Sequence, residues 1–252
     1  MAANRTFGWI RDSKDARDHS YASVNKLSLQ LPKSVDLRSV FPPVYDQGNL
    51  GSCTGQAVAG VLAAMHNVEK IHQLDPSRLF IYYGEREIEG TIPSDDGAQI
   101  RDGIKVVASK GCCSEATWPY VESNFADKPP AAAYAEAAKH IAIQYQRVGQ
   151  SLMELKSALF NWHPIAFGIE VFPSFMSRTV ERNGVVPMPS SREQSEGGHA
   201  IVLAGYDDAT QRFLVRNSWG PTWGIKGYCY MPYNYVTSSL LASDFWSIQK
   251  TS

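Results

Sequence analysis

A cysteine, a histidine and an asparagine stand in this chain in an order and in local settings that suit covalent catalysis by a thiolate. Cys53 lies in the stretch DQGNLGSCTGQA, residues 46–57, where a glycine-rich turn runs into a helical pattern. A thiol attacks as its anion, and the unpaired amides and dipole of a helix N-terminus stabilise that anion. Gln47, six residues earlier, carries a side-chain amide that a cysteine used only for packing would not need. The nucleophile also needs a base, and the base needs an orienting partner.

Of the six histidines, His199 has the setting of a base: Gly197 and Gly198 precede it and the apolar run AIVLAGY follows. His19 sits in a polar leader, and His66 and His72 follow Cys53 too closely to face it. His140 ends an alanine-rich segment and His163 precedes a proline. Downstream, in VRNSWG, Asn217 at a strand end can accept the imidazole N–H and fix the ring's tautomer. Trp219 can then cover that hydrogen bond from water, which strengthens it by lowering the local dielectric.

The elements that would position these groups follow from hydrophobic periodicity. Val58, Val61, Leu62 and Met65 recur at helical spacing and predict a helix from Cys53 to about His66. Further helices are predicted over Ser77–Ile88 and over Gln99–Lys110, the latter stopped by Gly111. The second half changes period. After an alanine-rich helix near Ala131–His140, residues 141–148 read as extended. Ser151 to Glu154 forms a capping box opening a helix to about Trp162. Strands are predicted over 164–172, 199–206, 212–217, 227–231 and 244–248, with a hairpin turn at 207–211. Helices first and antiparallel strands later predict an α+β fold with two lobes divided near Asn124–Pro130, and a site between them.

Composition narrows the function classes. The 252 residues carry 24 basic and 25 acidic side chains, a net charge of −1, with 44% hydrophobic and 19% charged residues. That balance offers no electrostatic footprint for nucleic acid or an anionic membrane surface. No apolar run approaches the ~20 residues of a membrane span. The N-terminus lacks the apolar core of a secretory signal, so the reading leaves cytoplasmic residence or export by another route open. Four cysteines in a chain this long make no disulfide framework, and Cys112, Cys113 and Cys229 read as small buried hydrophobes. No metal-ligand spacing is present.

Taken together, Gln47 and Cys53 at a helix start, His199 before a strand, and NSWG at Asn217 resemble the papain-like cysteine peptidases, over about Leu31 to Trp246. His199 follows Cys53 by 146 residues, within the ~130–150 of that pattern, and Asn217 by 164, slightly beyond it. The resemblance implies a papain-like two-lobe α+β fold, with a helical N-terminal lobe at about 45–125. An antiparallel β-barrel-like C-terminal lobe would follow at about 130–252, with the active site in the cleft. Residues 1–34 would form an extension before a peptidase domain over 35–252, and that extension is expected to lie near the cleft and restrict access. The resemblance is to the compact bacterial members, which would lack the family's long pro-domain.

Carried over position by position, Cys53 would be the nucleophile and His199 the base and then the acid. Asn217 would orient His199, and Trp219 would shield the pair. Gln47 and the Cys53 amide would hold the oxyanion, and Gly97, Gly198 and Trp219 would meet substrate. The resting site would be a thiolate–imidazolium pair. The implied partner is a peptide or protein substrate of a monomeric enzyme, with no metal, cofactor, nucleic acid or membrane. Two rival functions use the same residues or fold: thiol-dependent acyl transfer or protein deamidation, and a non-catalytic binding protein whose leader blocks the cleft.

Departures from the family are specific. Thr54 replaces an aromatic residue after the nucleophile, and Leu50 replaces a disulfide cysteine three residues before it. Ser94-Asp95-Asp96-Gly97-Ala98 replaces a glycine-rich strand, with Asp95 and Asp96 read as a solvated loop and helix cap. Gly198 leaves the position before His199 without a side chain.

Overall fold

The computed structural model describes residues 6–25, 30–71 and 74–252; His72 and parts of the N-terminal extension lie outside them. After an extended run comes one helical turn, α1 (Tyr21–Val24), then a short strand, β1 (Ser34–Asp36). Helices α2 (Cys53–Glu69), α3 (Arg78–Glu89), α4 (Ile100–Ser109) and α5 (Ala131–Ala137) follow. The rest runs β2 (Ala142–Arg147), α6 (Leu152–Phe160), β3 (Ile165–Val171), α7 (Arg178–Asn183) and β4 (Gly197–Asp207). It ends with β5 (Arg212–Arg216), β6 (Tyr228–Pro232), α8 (Tyr233–Val236) and β7 (Ala242–Thr251).

Local signals explain most helix ends. Ser77 caps α3 by accepting the Phe80 amide at 3.1 Å, and Gly90 closes it at φ 74°. α4 ends where Gly111 turns left-handed at φ 76°, which glycine tolerates without strain. Ser151 accepts the Glu154 amide at 3.2 Å, but the Glu154 carboxylate reaches back to the Gly149 amide instead of Ser151, so half of the expected capping box is made. β1, α7 and α8 had no prediction; each is short, and β1 is recruited only by pairing with β4.

The strands form one antiparallel sheet in the order β2-β7-β3-β4-β5-β6, with β1 beside the far end of β4. The barrel expected of the second lobe does not close: β2 and β6 remain at opposite ends of the path. β4 is the pivot, pairing with β3 over 197–203 and with β5 over 202–207. α2 lies between this sheet and the helices α3 and α4. Every residue of α2 from Cys53 to His66 is buried, so one helix joins the two halves of the core. Cys112, Cys113 and Cys229 are buried free thiols, as their apolar surroundings predict. No helix among the described residues is long and apolar enough to cross a membrane.

The Ser151→Ala variant should lose about 1 kcal/mol of stability. For a chain of this size that is a melting temperature lower by about 2–4 °C in calorimetry. An unchanged melting temperature would show that the cap does not hold α6.

Candidate active site

The site is assembled where α2 starts. Gly48, at φ 58°, turns the chain, and residues 45–47 then pair with 218–220. The Gln47 amide donates to the Ser218 carbonyl at 2.9 Å, and the Gly220 amide to the Tyr45 carbonyl at 2.9 Å. Arg216, buried, donates to the Pro42 and Pro43 carbonyls at 2.9 and 2.7 Å and fixes the approach to this loop. Cys53 is the first residue of α2 and fully buried.

His199 enters from β4, opposite Ile169 of β3. Its Nε2 meets Asn217 Oδ1 at 2.8 Å. The Cys53 sulfur accepts the amide of Ala200, the next residue of β4, at 3.3 Å. Trp219 stacks on the His199 ring with centroids 4.8 Å apart and planes 24° from parallel. It is itself buried against Phe175 and Trp223.

Gln47 is fully buried, and its side-chain amide is held at both ends. Ser218 Oγ donates to its Oε1 at 2.7 Å, and its Nε2 donates to the Leu50 carbonyl at 2.9 Å. Nε2 also reaches the carbonyl of Thr6 at 3.2 Å. Cys53, His199, Asn217, Gln47 and Trp219 therefore converge, and Gly97 and Gly198 line the same cleft. Ser218 was not singled out in the sequence; only its place directly after Asn217 could have pointed to it.

The cleft is filled by residues 6–10 of the chain itself. The Trp9 amide donates to the Gly198 carbonyl at 2.9 Å, the Ala98 amide to Gly8 and the Ile10 amide to Ala98, at 2.8 and 2.9 Å. The Trp9 indole lies over Gly168 and Gly198, where any Cβ would collide with it. Gly97, at φ 85°, passes so close to the Gly8 carbonyl that a side chain would not fit. Phe7 meets the His199 and Trp219 rings at 6.3 and 6.4 Å.

This cover changes the electrostatics. Burial pushes the Cys53 thiol up to about 12, against amides of Ala200, Gly8 and Thr54 that favour the anion. Burial by the covered cleft thus works against the thiolate expected of the resting site. Behind it, Thr54 Oγ1 donates to Glu85 Oε2 at 2.7 Å, and burial holds the Glu85 carboxyl well above its ordinary range. The small Thr54 in place of an aromatic residue leaves room for this contact.

Asp95 also departs from expectation. It caps no helix, and only Asp96 is exposed. Asp95 accepts the Gly51 amide at 3.0 Å on each oxygen and the Tyr82 hydroxyl at 2.5 Å. Among the described residues no group of three or more histidine, cysteine or acidic side chains could hold a metal ion.

Iodoacetamide should label Cys53 of the intact chain at pH 8 more slowly than it labels a free thiol of ordinary acidity, and faster as pH climbs toward 12. Peptide mapping by mass spectrometry reads this directly; labelling at the free-thiol rate would contradict the covered state.

Comparison with known proteins identifies the family. The model of the papain family cysteine proteases matches residues 31–246. An uncharacterized peptidase C1-like protein of Acanthamoeba polyphaga mimivirus is 41% identical over 98% of this chain and 88% of its own. Pro-cathepsin H of Bos taurus is 28% identical over 78% of this chain and 58% of that longer protein. The crystal structure of xylellain, a cysteine protease from Xylella fastidiosa, superposes with a TM-score of 0.90 at 39% identity, covering 97% of this chain and 96% of that one. The chain belongs to the papain family of cysteine proteases.

Proposed function

We propose that this cysteine peptidase works through Cys53, His199, Asn217 and Gln47, and that residues 6–25 of the same chain hold it latent. The observation that carries the reading is the continuous hydrogen bonding of residues 6–10 along the cleft, ending with a leader carbonyl on Gln47 Nε2. In the open enzyme His199 takes the Cys53 proton, the sulfur attacks the substrate carbonyl carbon, and the carbonyl oxygen becomes the oxyanion. Gln47 Nε2 and the Cys53 amide donate to that charge, which costs ~2.7–4 kcal/mol per donor lost. His199 protonates the departing amine, leaving a thioester, and then takes a proton from water as water displaces the sulfur. Asn217 keeps His199 in the tautomer both steps need.

The leader is not positioned as a substrate. The sulfur receives the amides of Ala200 and Gly8, so the leader presents it with an N–H and not with a carbonyl carbon. The leader is anchored beyond the cleft as well. Asp12, buried, donates its amide to Asp244, and its carboxylate accepts Trp246 Nε1, both at 2.7 Å. Asp18 pairs with Arg101 at 2.6 Å and with Arg147 at 3.3 Å. Tyr21, fully buried, accepts from Asn161 at 3.1 Å and meets His163 Nδ1 at 2.9 Å. Burial lowers His163 to about 4, so its neutral ring can accept the phenol proton.

The first test is cleavage of a fluorogenic peptide library under reducing conditions. The Trp9→Ala full chain should turn over at least about tenfold faster than wild type, since a buried aromatic anchor is worth ~2 kcal/mol or more. Cys53→Ala added to it should abolish turnover. Equal rates with and without Trp9 would sink latency, and turnover without Cys53 would sink the assigned nucleophile.

Asp12 gives the anchor a pH dependence. Burial, then the neighbouring Asp244, raises its carboxyl from 3.8 to about 6 in the docked state. A docked value above the free one favours docking fully below about 4, and the contribution fades as pH climbs through about 6. Digestion of the leader by an added protease should therefore accelerate between pH 4 and 6 relative to Asp12→Asn. The same profile in both proteins would exclude Asp12 as the titrating group.

A further inference from the structure

We propose that Asp95 is a positioning residue for the oxyanion hole, acting through the peptide unit between Leu50 and Gly51. That unit is bonded at both ends. Its N–H, on Gly51, donates to both Asp95 carboxylate oxygens at 3.0 Å. Its carbonyl, on Leu50, accepts Gln47 Nε2 at 2.9 Å. A trans peptide is planar, with N–H and C=O pointing opposite ways, so holding the N–H fixes the direction of the carbonyl. If the plane turned, Gln47 would lose the acceptor that pins one of its two amide hydrogens.

Those two hydrogens have different jobs. One is taken by the Leu50 carbonyl, and the other is turned toward the leader, reaching the Thr6 carbonyl at 3.2 Å. Ser218 Oγ on Oε1 decides which end of the amide is nitrogen. Leu50 then decides where that nitrogen's hydrogens point. The direction of the donor is thus traceable through one peptide plane to Asp95.

Asp95 is in turn held rigidly. The Tyr82 hydroxyl donates to Oδ1 at 2.5 Å from the middle of α3. Burial and the adjacent carboxylate push the Tyr82 phenol far above its ordinary value, so it remains a donor throughout the working pH range. One turn later Arg86, fully buried, donates to the carbonyls of Ile92 and Ser94 at 2.7 and 3.3 Å and to Phe125. Its guanidinium lies 4.1 Å over the Tyr82 ring. The loop carrying Asp95 is therefore fastened to α3 at Tyr82 and again at Arg86. Gly51 allows the close approach, since a Cβ there would stand 3.3 Å from Asp95 Oδ1.

The test separates the hole from the nucleophile. Alkylation of Cys53 by iodoacetamide needs the thiol and His199 but no oxyanion donor, whereas amide hydrolysis needs all of them. Both require an open cleft, so their ratio is independent of how often the leader leaves. In the full chain carrying Trp9→Ala, Asp95→Ala should lower kcat for a short fluorogenic amide about 10- to 100-fold, as expected for a misplaced catalytic donor. KM and the Cys53 alkylation rate should stay within about twofold. Asp95→Asn, which keeps an acceptor, and Tyr82→Phe should show the same pattern with smaller losses; they serve the comparison if the alanine variant does not fold. Adding Asp95→Ala to Gln47→Ala should cost no further kcat, because the effect runs through that amide. An unchanged kcat, an alkylation rate that falls in step with kcat, or additive losses in the double variant would each overturn the proposal.

Discussion

Helix α2 is buried on every side along its first fourteen residues, between the sheet and the helices α3 and α4. A helix enclosed in that way cannot slide or rotate without opening the core, because interiors pack at the density of organic crystals. The position of the Cys53 sulfur is consequently a property of the whole fold and not of a loop. What remains adjustable is the approach to the helix, residues 45–52, and the polar contacts there concern orientation more than attachment. Arg216 holds the Pro42 and Pro43 carbonyls, Ser218 takes the Gln47 side chain, and Asp95 takes Gly51. Each of these partners comes from a different segment, so the loop is triangulated against β5, the turn after it, and the loop beyond α3.

This arrangement gives Leu50 a meaning. Where the family's secreted members carry a disulfide cysteine, the chain here uses a carboxylate on a backbone amide, backed by a phenol. A charge-assisted hydrogen bond of this type is stronger than a neutral one and, in a half-buried setting, directional. It does not depend on redox conditions, which suits a site whose nucleophile must itself stay reduced.

The residues proposed as nucleophile and partners, and the order of helices and strands, were legible because each leaves a local mark. Cys53 follows a glycine turn and opens a helical period, His199 opens an apolar strand, and Asn217 closes the next one. Asp95 was read as solvated because two adjacent acidic residues beside a glycine look like a surface turn. Its partners, Gly51 and Tyr82, are brought to it only by the tertiary fold. β1 could not be foreseen for a similar reason: three residues of strand have no period, and their ladder is supplied by β4. The closure of the second lobe was misjudged since strand count and alternation do not reveal whether the two edge strands meet.

Under the proposed latency, one event would block both access and reactivity. Residues 6–10 occupy the donors and the subsites, which is steric. They also remove Cys53 from water, and burial then outweighs the amides of Ala200, Gly8 and Thr54 that favour the anion. The amides of Ala200 and Thr54 are fixed by β4 and α2 and stay in place whether or not the leader is there; that of Gly8 leaves with it. The burial that opposes them includes the leader's own cover, so its departure removes part of the opposing effect. A competent nucleophile therefore needs no rearrangement of the catalytic groups, only re-exposure of a thiol already set among donors. Latency of this kind costs the folded enzyme no distortion of its site, and the rigid placement of α2 makes that possible.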